Sequence, residues 1–179
     1  IAGDIHGDLF WIDTNNKEIL GRSAFHKGSV FDILVINPSQ LVTVSGDGYI
    51  CLWDIGQRLP LLSKRLSNQG LRCVVHDPET GNLFVGASDN NIYVLDGLSF
   101  EQKYIIHQAH QNSIFALNHI SSIGLFSGGR DAHMKIWDLI DFTAKTDVPA
   151  HWYTINKILY IPELKLIVTA SRDKTIRLW

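Results

Sequence analysis

The sequence has few cysteines, no long apolar run and no excess of either charge. Its two cysteines, Cys51 and Cys73, stand in apolar segments without the spacing of metal ligands. We therefore interpret both as small core residues and expect no disulfide framework, no metal and no other cofactor. Apolar runs such as residues 33–36 and 49–53 are far shorter than the ~20 residues of a membrane-spanning helix, so no membrane association is expected.

Charge is nearly balanced, with 16 Lys and Arg against 18 Asp and Glu and a formal net charge of −2. No overall basic field attracts phosphate backbones, and we expect no nucleic-acid partner. A content of 45% hydrophobic and 19% charged residues is typical of a folded domain with a sizeable core. No signal peptide is recognisable in the first residues, so a cytoplasmic location is predicted.

A repeat of 42 residues organises the chain, and four aspartates mark it: Asp47, Asp89, Asp131 and Asp173. After each aspartate, apolar residues alternate with other residues at a period of two, which indicates a β-strand. Three further strand-like segments belong to each repeat, and turn residues separate them, whereas no segment has helical periodicity. Each repeat is therefore predicted to be a four-stranded antiparallel meander.

The repeat also predicts the domain organisation. A single meander exposes its sheet faces, and a radial stack of meanders buries those faces around a central channel. We predict one all-β propeller segment over residues 1–179, with a partial blade at 1–24 and repeats at about 25–66, 67–108, 109–150 and 151–179. Propellers have ~4 to 8 blades, and the chain starts within a repeat, so an incomplete propeller is expected.

Three repeats carry His, Ser or Thr, Asp and Trp at corresponding positions. The sets are His26, Thr43, Asp47 and Trp53; His110, Ser127, Asp131 and Trp137; and His151, Thr169, Asp173 and Trp179. This pattern resembles the WD-repeat (WD40) β-propeller family, whose units of about 40–45 residues have a His near the first strand and a Trp-Asp pair ending the third. The resemblance implies a hydrogen-bonded chain from carboxylate through imidazole and hydroxyl to indole, which fixes the register of each blade. A hydrolase triad is the competing interpretation, but recurrence in three repeats favours a structural role.

The repeat at 67–108 departs from this pattern. Ser67, Val85 and Leu95 stand where the His, the hydroxyl residue and the Trp are expected. Apolar packing is predicted to replace the network there, while Asp89 still caps the turn through local backbone hydrogen bonds.

The segment Gly3-Asp4-Ile5-His6-Gly7 suggests a different function. It resembles the opening motif of calcineurin-like metallophosphoesterases, in which an Asp and a His bind one ion of a two-metal centre. Such a centre also needs a second Gly-Asp and an Asn-His pair, and no Gly-Asn-His occurs in the sequence. The segment aligns with the repeat, which places it in a turn before a strand. A metal-dependent phosphoesterase, or the regulatory domain of a longer enzyme, is therefore the alternative to a binding module.

The family resemblance also implies where partners bind. In the family, partners usually dock on the narrow face around the channel, through residues just before the turn Asp and at the start of the innermost strand. Those positions are Phe31, Arg72, Ser88, Phe115, Arg130, Asn156 and Arg172. Arg and aromatic side chains are enriched in interface hot spots. The expected function is a non-catalytic scaffold for protein–protein interaction, with proteins or peptides as partners and no small-molecule substrate.

Overall fold

The computed structural model describes residues Ile1–Trp179, which form eighteen strands in five sheets. Sheet I contains β1 (Ala2–Gly3), β2 (Asp8–Ile12) and β3 (Ile19–Ala24); sheet II contains β4 (Val30–Asn37), β5 (Gln40–Ser45), β6 (Tyr49–Asp54) and β7 (Leu59–Arg65). Sheet III contains β8 (Leu71–His76), β9 (Asn82–Ala87), β10 (Ile92–Asp96) and β11 (Gln102–Ile106); sheet IV contains β12 (Ile114–Ile120), β13 (Gly124–Gly129), β14 (His133–Trp137) and β15 (Ala144–Pro149). Sheet V contains β16 (Ile155–Ile161), β17 (Leu166–Ser171) and β18 (Ile176–Leu178). The structure offers no helix long and apolar enough to cross a membrane.

Each sheet is a meander, because neighbouring strands follow one another in the sequence. The predicted all-β fold built from four-stranded antiparallel units is therefore confirmed. The pairing of the second strand with the third repeats from sheet to sheet. Thr43 pairs with Cys51 in sheet II, and Ser127 pairs with Lys135 in sheet IV. The hydroxyl residue of each predicted network thus occupies the same place in its sheet.

Burial decreases from the second strand of a sheet to the fourth. Strands β5, β9 and β13 are buried along almost their whole length. Strands β7 and β15 contain only exposed and half-buried residues. The side chains on both faces of these second strands are therefore largely closed to solvent, whereas the fourth strands lie at the open edges of their sheets.

Contacts divide the chain into two compact units, Ile1–Val74 and Val75–Trp179, and each has its own core. In the first unit, sheets I and II pack through Leu9, Trp11, Leu41, Cys51 and Trp53. The rings of Trp11 and Trp53 meet edge to face with centroids 6.4 Å apart, a favoured aromatic geometry. Burial raises the pKa of the Cys51 thiol to about 12, so this cysteine behaves as a core residue.

In the second unit, the core between sheets IV and V is formed by Ala116, Ile120, Phe126, Met134, Ala150, Ile155 and Ile158. Full burial of a large aliphatic or aromatic side chain contributes about 1.5–3 kcal/mol, so this cluster is a main source of the unit's stability. The Asn118 amide adds a hydrogen bond to the Ile158 carbonyl oxygen at 3.2 Å. The first strand of sheet IV is thereby tied to the first strand of sheet V.

The residue after each turn aspartate has a left-handed backbone. Its φ angle is 83° at Gly48, 74° at Asn90, 66° at Ala132 and 68° at Lys174. At Gly48 a Cβ atom would lie 2.1 Å from the Ser67 carbonyl oxygen, so only glycine fits there. The turn that carries each aspartate therefore has one geometry in all four repeats, although its sequence varies.

Candidate functional site

The turn aspartate of sheet IV lies at one end of a buried polar network. Asp131 has both carboxylate oxygens 3.0 Å from His110 Nδ1 and also accepts the backbone N–H of Gln111 at 2.9 Å. His110 Nε2 lies 2.7 Å from Ser127 Oγ. Trp137 Nε1 donates to that same oxygen at 2.8 Å. Two strand residues, the turn aspartate and a histidine from the segment before β12 are thus joined in a single line.

The chemistry of these groups gives the network a direction. A carboxylate only accepts, so Nδ1 of a neutral His110 carries the hydrogen and donates it to Asp131. Nε2 is then the acceptor, and the Ser127 hydroxyl donates to it. The Ser127 oxygen accepts in turn from the Trp137 indole. Every polar atom along the line is satisfied, and the hydroxyl is both donor and acceptor.

Sheets II and V contain the same arrangement. In sheet II, His26 lies 3.2 Å from Asp47 Oδ2 and 2.7 Å from Thr43 Oγ1, and the Trp53 indole donates to Thr43 at 2.9 Å. In sheet V the corresponding distances are 2.9 Å for His151 to Asp173, 2.7 Å for His151 to Thr169, and 3.0 Å for Trp179 to Thr169. The structure therefore brings together all twelve residues that the sequence pattern groups into three sets.

Burial decides what these sets can do chemically. The imidazoles of His26, His110 and His151 have 0% side-chain exposure, and the three hydroxyl residues are equally closed to solvent. A nucleophilic hydroxyl must reach its substrate, so this geometry suits a structural network rather than a hydrolase triad. Burial lowers the pKa of His26, which favours the neutral imidazole that the network needs.

Sheet III replaces the network with a tyrosine that sequence reasoning missed. Asp89 accepts the backbone N–H of Asn91 at 3.2 Å, and it accepts the Tyr93 hydroxyl at 2.6 Å. Val85 and Leu95 are fully buried on neighbouring strands. The sequence contains one signal for this replacement of the histidine by a tyrosine. Tyr93 is the only tyrosine at its repeat position, and it occurs in the repeat that lacks the histidine.

The Gly3–Gly7 motif forms a capped turn. Asp4 Oδ1 accepts the backbone N–H groups of His6 and Asp8, each at 2.9 Å. These bonds, led by the one from Asp8, hold the pKa of the Asp4 carboxyl below its usual range. The chain contains no group of three or more His, Cys, Asp and Glu side chains placed to hold a metal ion. Asp4 is therefore used as a backbone acceptor at the start of β2.

Three of the predicted partner-binding residues lie at β-bulges. The pairing of β4 with β5 skips Phe31, that of β12 with β13 skips Phe115, and that of β16 with β17 skips Asn156. A bulge leaves one residue outside the ladder and re-aims its side chain. Phe31 and Asn156 are exposed and Phe115 is half-buried. These bulges were not predicted from the sequence.

The remaining predicted residues divide between the two units. In the first unit, the Arg72 guanidinium lies 4.1 Å above the centre of the Phe31 ring. Such a cation–π contact contributes about 0.5–2 kcal/mol and holds both side chains in one orientation. In the second unit, Ser88 is half-buried, whereas Arg130 and Arg172 are exposed.

Arg130 and Arg172 meet at a cavity of about 430 Å³ in the second unit, where sheets IV and V end. Its other lining residues are Tyr153 and Thr154, from the segment between β15 and β16. We call it the arginine cavity. Its volume falls within the range of about 300–1,000 Å³ typical of ligand pockets. Tyr153 and Thr154 were not among the predicted site residues, because only the fold places them beside the arginines.

Comparison with known proteins places the chain in a family. Residues 20–54, 101–138 and 143–179 match WD40, described as WD domain, G-beta repeat, and together they make up more than half of the chain. The chain therefore belongs to the WD40 family. The matches leave out residues 55–100, which include the turn of sheet III where the network is missing. In fold, 88% of the chain superposes on the WD40 beta propeller domain of Doa1, with a TM-score of 0.79 at 18% identity. The propeller prediction is thus confirmed.

Several curated proteins have similar sequences. The chain is 28% identical to the THO complex subunit 6 homolog of Danio rerio over 157 residues, which are 81% of this chain and 46% of that protein. It is 26% identical to Denticleless protein homolog A of Xenopus laevis over 152 residues, 74% of this chain and 21% of that protein. It is 24% identical to E3 ubiquitin-protein ligase COP1 of Pisum sativum over 131 residues, 72% of this chain and 19% of that protein. The chain spans about half or less of the length of these relatives.

Proposed function

We propose that this chain is a non-catalytic platform that binds other proteins or peptides at the turn ends of its sheets. The observation that carries the proposal is the separation of roles within each repeat. The histidines and hydroxyl residues of the networks are buried inside the sheets. Arginine and aromatic side chains at the nearby turn ends are exposed or half-buried, so a partner can contact them. One relative is by name a subunit of a complex, which supports the same role for the shared repeats.

The surface chemistry favours a protein partner over a nucleic acid. Arg, Phe and Tyr are residue types enriched where protein interfaces gain most of their binding energy. The chain has a net charge of −2, so its arginines are local features and do not form part of a general phosphate-binding field. In the first unit, the stacked pair Arg72 and Phe31 is the surface that we expect to bind a partner most strongly.

Affinity capture with the intact protein tests this proposal. The variants Arg72→Gln and Phe31→Ala remove the stacked pair, and Leu61→Ser is the matched control because Leu61 is exposed on the fourth strand of the same sheet. We expect wild type and the control to retain the same partners and the two variants to lose them. Equal capture by all four proteins would show that partners do not bind there. Hydrolysis of an aryl phosphate by the wild type with Mn²⁺, abolished by His6→Ala, would instead support the phosphoesterase alternative.

A further inference from the structure

A second cavity, with a volume of about 520 Å³, lies in the first unit. Tyr49, one of its lining residues, shares a face of β6 with Cys51, which packs in the core between sheets I and II. The cavity therefore lies between two sheets, beside their common core, and its volume is typical of a ligand pocket. We call it the flank cavity, and its lining residues are Phe25, Lys27, Asp47, Tyr49, Ser63 and Arg65.

Two cations line the flank cavity, and neither has an anionic partner within the chain. Lys27 and Arg65 are both exposed, and neither forms an ion pair. The Arg65 side chain forms one hydrogen bond, from Nε to the Ser67 carbonyl oxygen at 3.2 Å, which leaves its two terminal nitrogens without a partner. A guanidinium group with free nitrogens can bind both oxygens of a carboxylate at once.

The one carboxylate of the flank cavity is already engaged elsewhere. Asp47 accepts the backbone N–H groups of Lys27 at 2.8 Å and Tyr49 at 3.0 Å, and it also contacts the buried His26 imidazole. Burial opposes ionisation of Asp47, yet these backbone hydrogen bonds hold the pKa of its carboxyl below the usual range. Asp47 is therefore charged, and the cavity has two positive charges and one negative charge.

Hydroxyl and aromatic groups complete the lining of the flank cavity. The hydroxyls of Tyr49 and Ser63 have no hydrogen-bond partner within the chain, and both residues are exposed. The half-buried Phe25 ring meets the Trp53 ring edge to face, with centroids 5.7 Å apart, so its position is fixed by the core. The cavity thus combines free hydroxyl donors with a rigid aromatic wall.

Sheet IV supplies its own anion at the corresponding positions. Strand pairing places His133 where sheet II has Tyr49, and it places Asp147 where sheet II has Ser63. His133 Nδ1 lies 2.6 Å from Asp147 Oδ1, and Lys135 pairs with the same carboxylate at 3.2 Å. The cationic groups of sheet IV are therefore neutralised within the chain, whereas those of the flank cavity are not.

We propose that the flank cavity binds the carboxylate of a glutamate or aspartate side chain in a partner peptide. A single carboxylate neutralises the one excess positive charge of the cavity, whereas a phosphate dianion leaves an excess of negative charge. The hydroxyls of Tyr49 and Ser63 are further donors to its oxygens, and the Phe25 ring is a contact for an apolar residue next to the acidic one. This inference rests on the proposed function, since the ligand is part of a partner protein.

Binding of degenerate peptide pools to the intact protein tests the inference. The pools differ only at a fixed central residue, which is glutamate, glutamine or phosphoserine. We expect the glutamate pool to bind best and increasing salt to weaken its binding. Lys27→Gln and Arg65→Gln should each weaken that binding by about three- to tenfold, because each removes a charged donor to the carboxylate. Lys17→Gln is the control, since it removes an exposed positive charge before the start of β3, whereas Lys27 follows the end of that strand.

Reversal of one charge gives a sharper test. Arg65→Glu changes the net charge of the flank cavity from one positive to one negative unit. This variant should no longer prefer the glutamate pool, and it should bind a pool with a central lysine better than wild type does. Thermal unfolding of all variants is measured in parallel, so that lost binding is separated from lost folding.

The outcomes separate this inference from the proposed function. Equal binding of the glutamate and glutamine pools, or unchanged affinity in both glutamine variants, overturns the carboxylate site. Stronger binding of the phosphoserine pool, or of a single-stranded oligonucleotide, that is lost in those variants also overturns it. If partners are still captured through Arg72 and Phe31 in these cases, the protein-binding function stands. If Arg72→Gln and Phe31→Ala retain all partners while the glutamate pool needs Lys27 and Arg65, the proposed docking surface is wrong and the flank cavity stands.

Discussion

Replacing Ser127 with alanine should destabilise sheet IV far more than the loss of one hydroxyl on a surface would. The Ser127 oxygen accepts from Trp137 Nε1 at 2.8 Å and lies 2.7 Å from His110 Nε2, to which its hydroxyl donates. Ser127→Ala therefore leaves one buried donor and one buried acceptor unpaired. Each such group costs about 1–3 kcal/mol, so we expect a loss of roughly 2–5 kcal/mol in the free energy of unfolding.

The second half of this prediction concerns Trp137→Phe, which leaves only the Ser127 oxygen with a vacant acceptor position. We expect this variant to lose about 1–3 kcal/mol, because it also shrinks a buried aromatic side chain. In the double variant the indole donor and its acceptor disappear together. The combined loss should then be smaller than the sum of the two single losses by about 1 kcal/mol or more.

Urea unfolding followed by far-UV circular dichroism measures these differences, since that signal reports mainly on the backbone, whereas intrinsic fluorescence would change with Trp137 itself. Ser121→Ala is the control, because Ser121 is exposed in the turn between β12 and β13 and forms no hydrogen bond. We expect the control to match wild type within about 0.5 kcal/mol. Losses in the two single variants that add up in the double variant would refute the direct link between indole and hydroxyl.

Four further predictions concern stability and reactivity. Burial lowers the pKa of His26, so the unfolded chain binds its proton more readily, and the urea midpoint should fall as pH drops below about 6.5. At Gly48 an added Cβ meets a carbonyl oxygen, so Gly48→Ala should destabilise by at least about 1–2 kcal/mol. Ala132→Gly at the equivalent left-handed position should instead stabilise by about 0.5–1 kcal/mol in the same urea assay, and destabilisation there would contradict the common turn geometry. Finally, the thiol of Cys51 should react with an aromatic disulfide reagent only after unfolding, and rapid labelling of native protein would disprove its burial.

The sheets were predictable because their signal is local and repeated. Alternation at a period of two within a strand indicates which side chains share one face of the sheet. The same alternation recurs in four repeats at a spacing of 42 residues, which strengthens the prediction. The network residues were predictable for a related reason. The His, the hydroxyl residue and the Trp recur together at fixed positions of the repeat. Their joint recurrence indicates that the three side chains contact one another in each folded repeat.

Features that depend on one residue of register were not predictable. The bulges at Phe31, Phe115 and Asn156 arise where the first strand meets the second, and an aromatic residue and an amide occupy the same position, so residue type does not predict them. The arginine cavity is lined by three segments that are apart in the sequence, so no local signal marks Thr154 as a neighbour of Arg130. Such contacts follow from the stacking of sheets, which a single sequence does not encode locally.

The buried network and the open arginine are coupled through the backbone of the turn. Arg172 donates its N–H to the Thr154 carbonyl oxygen at 2.9 Å, and the next residue, Asp173, is held by His151. The residue pair Arg130 and Asp131 is fixed in the same way in sheet IV. Because the aspartate cannot turn outward without leaving a buried imidazole unpaired, it cannot neutralise the arginine before it. The network therefore leaves each guanidinium without an internal ion pair, so an anionic partner would not first have to displace one.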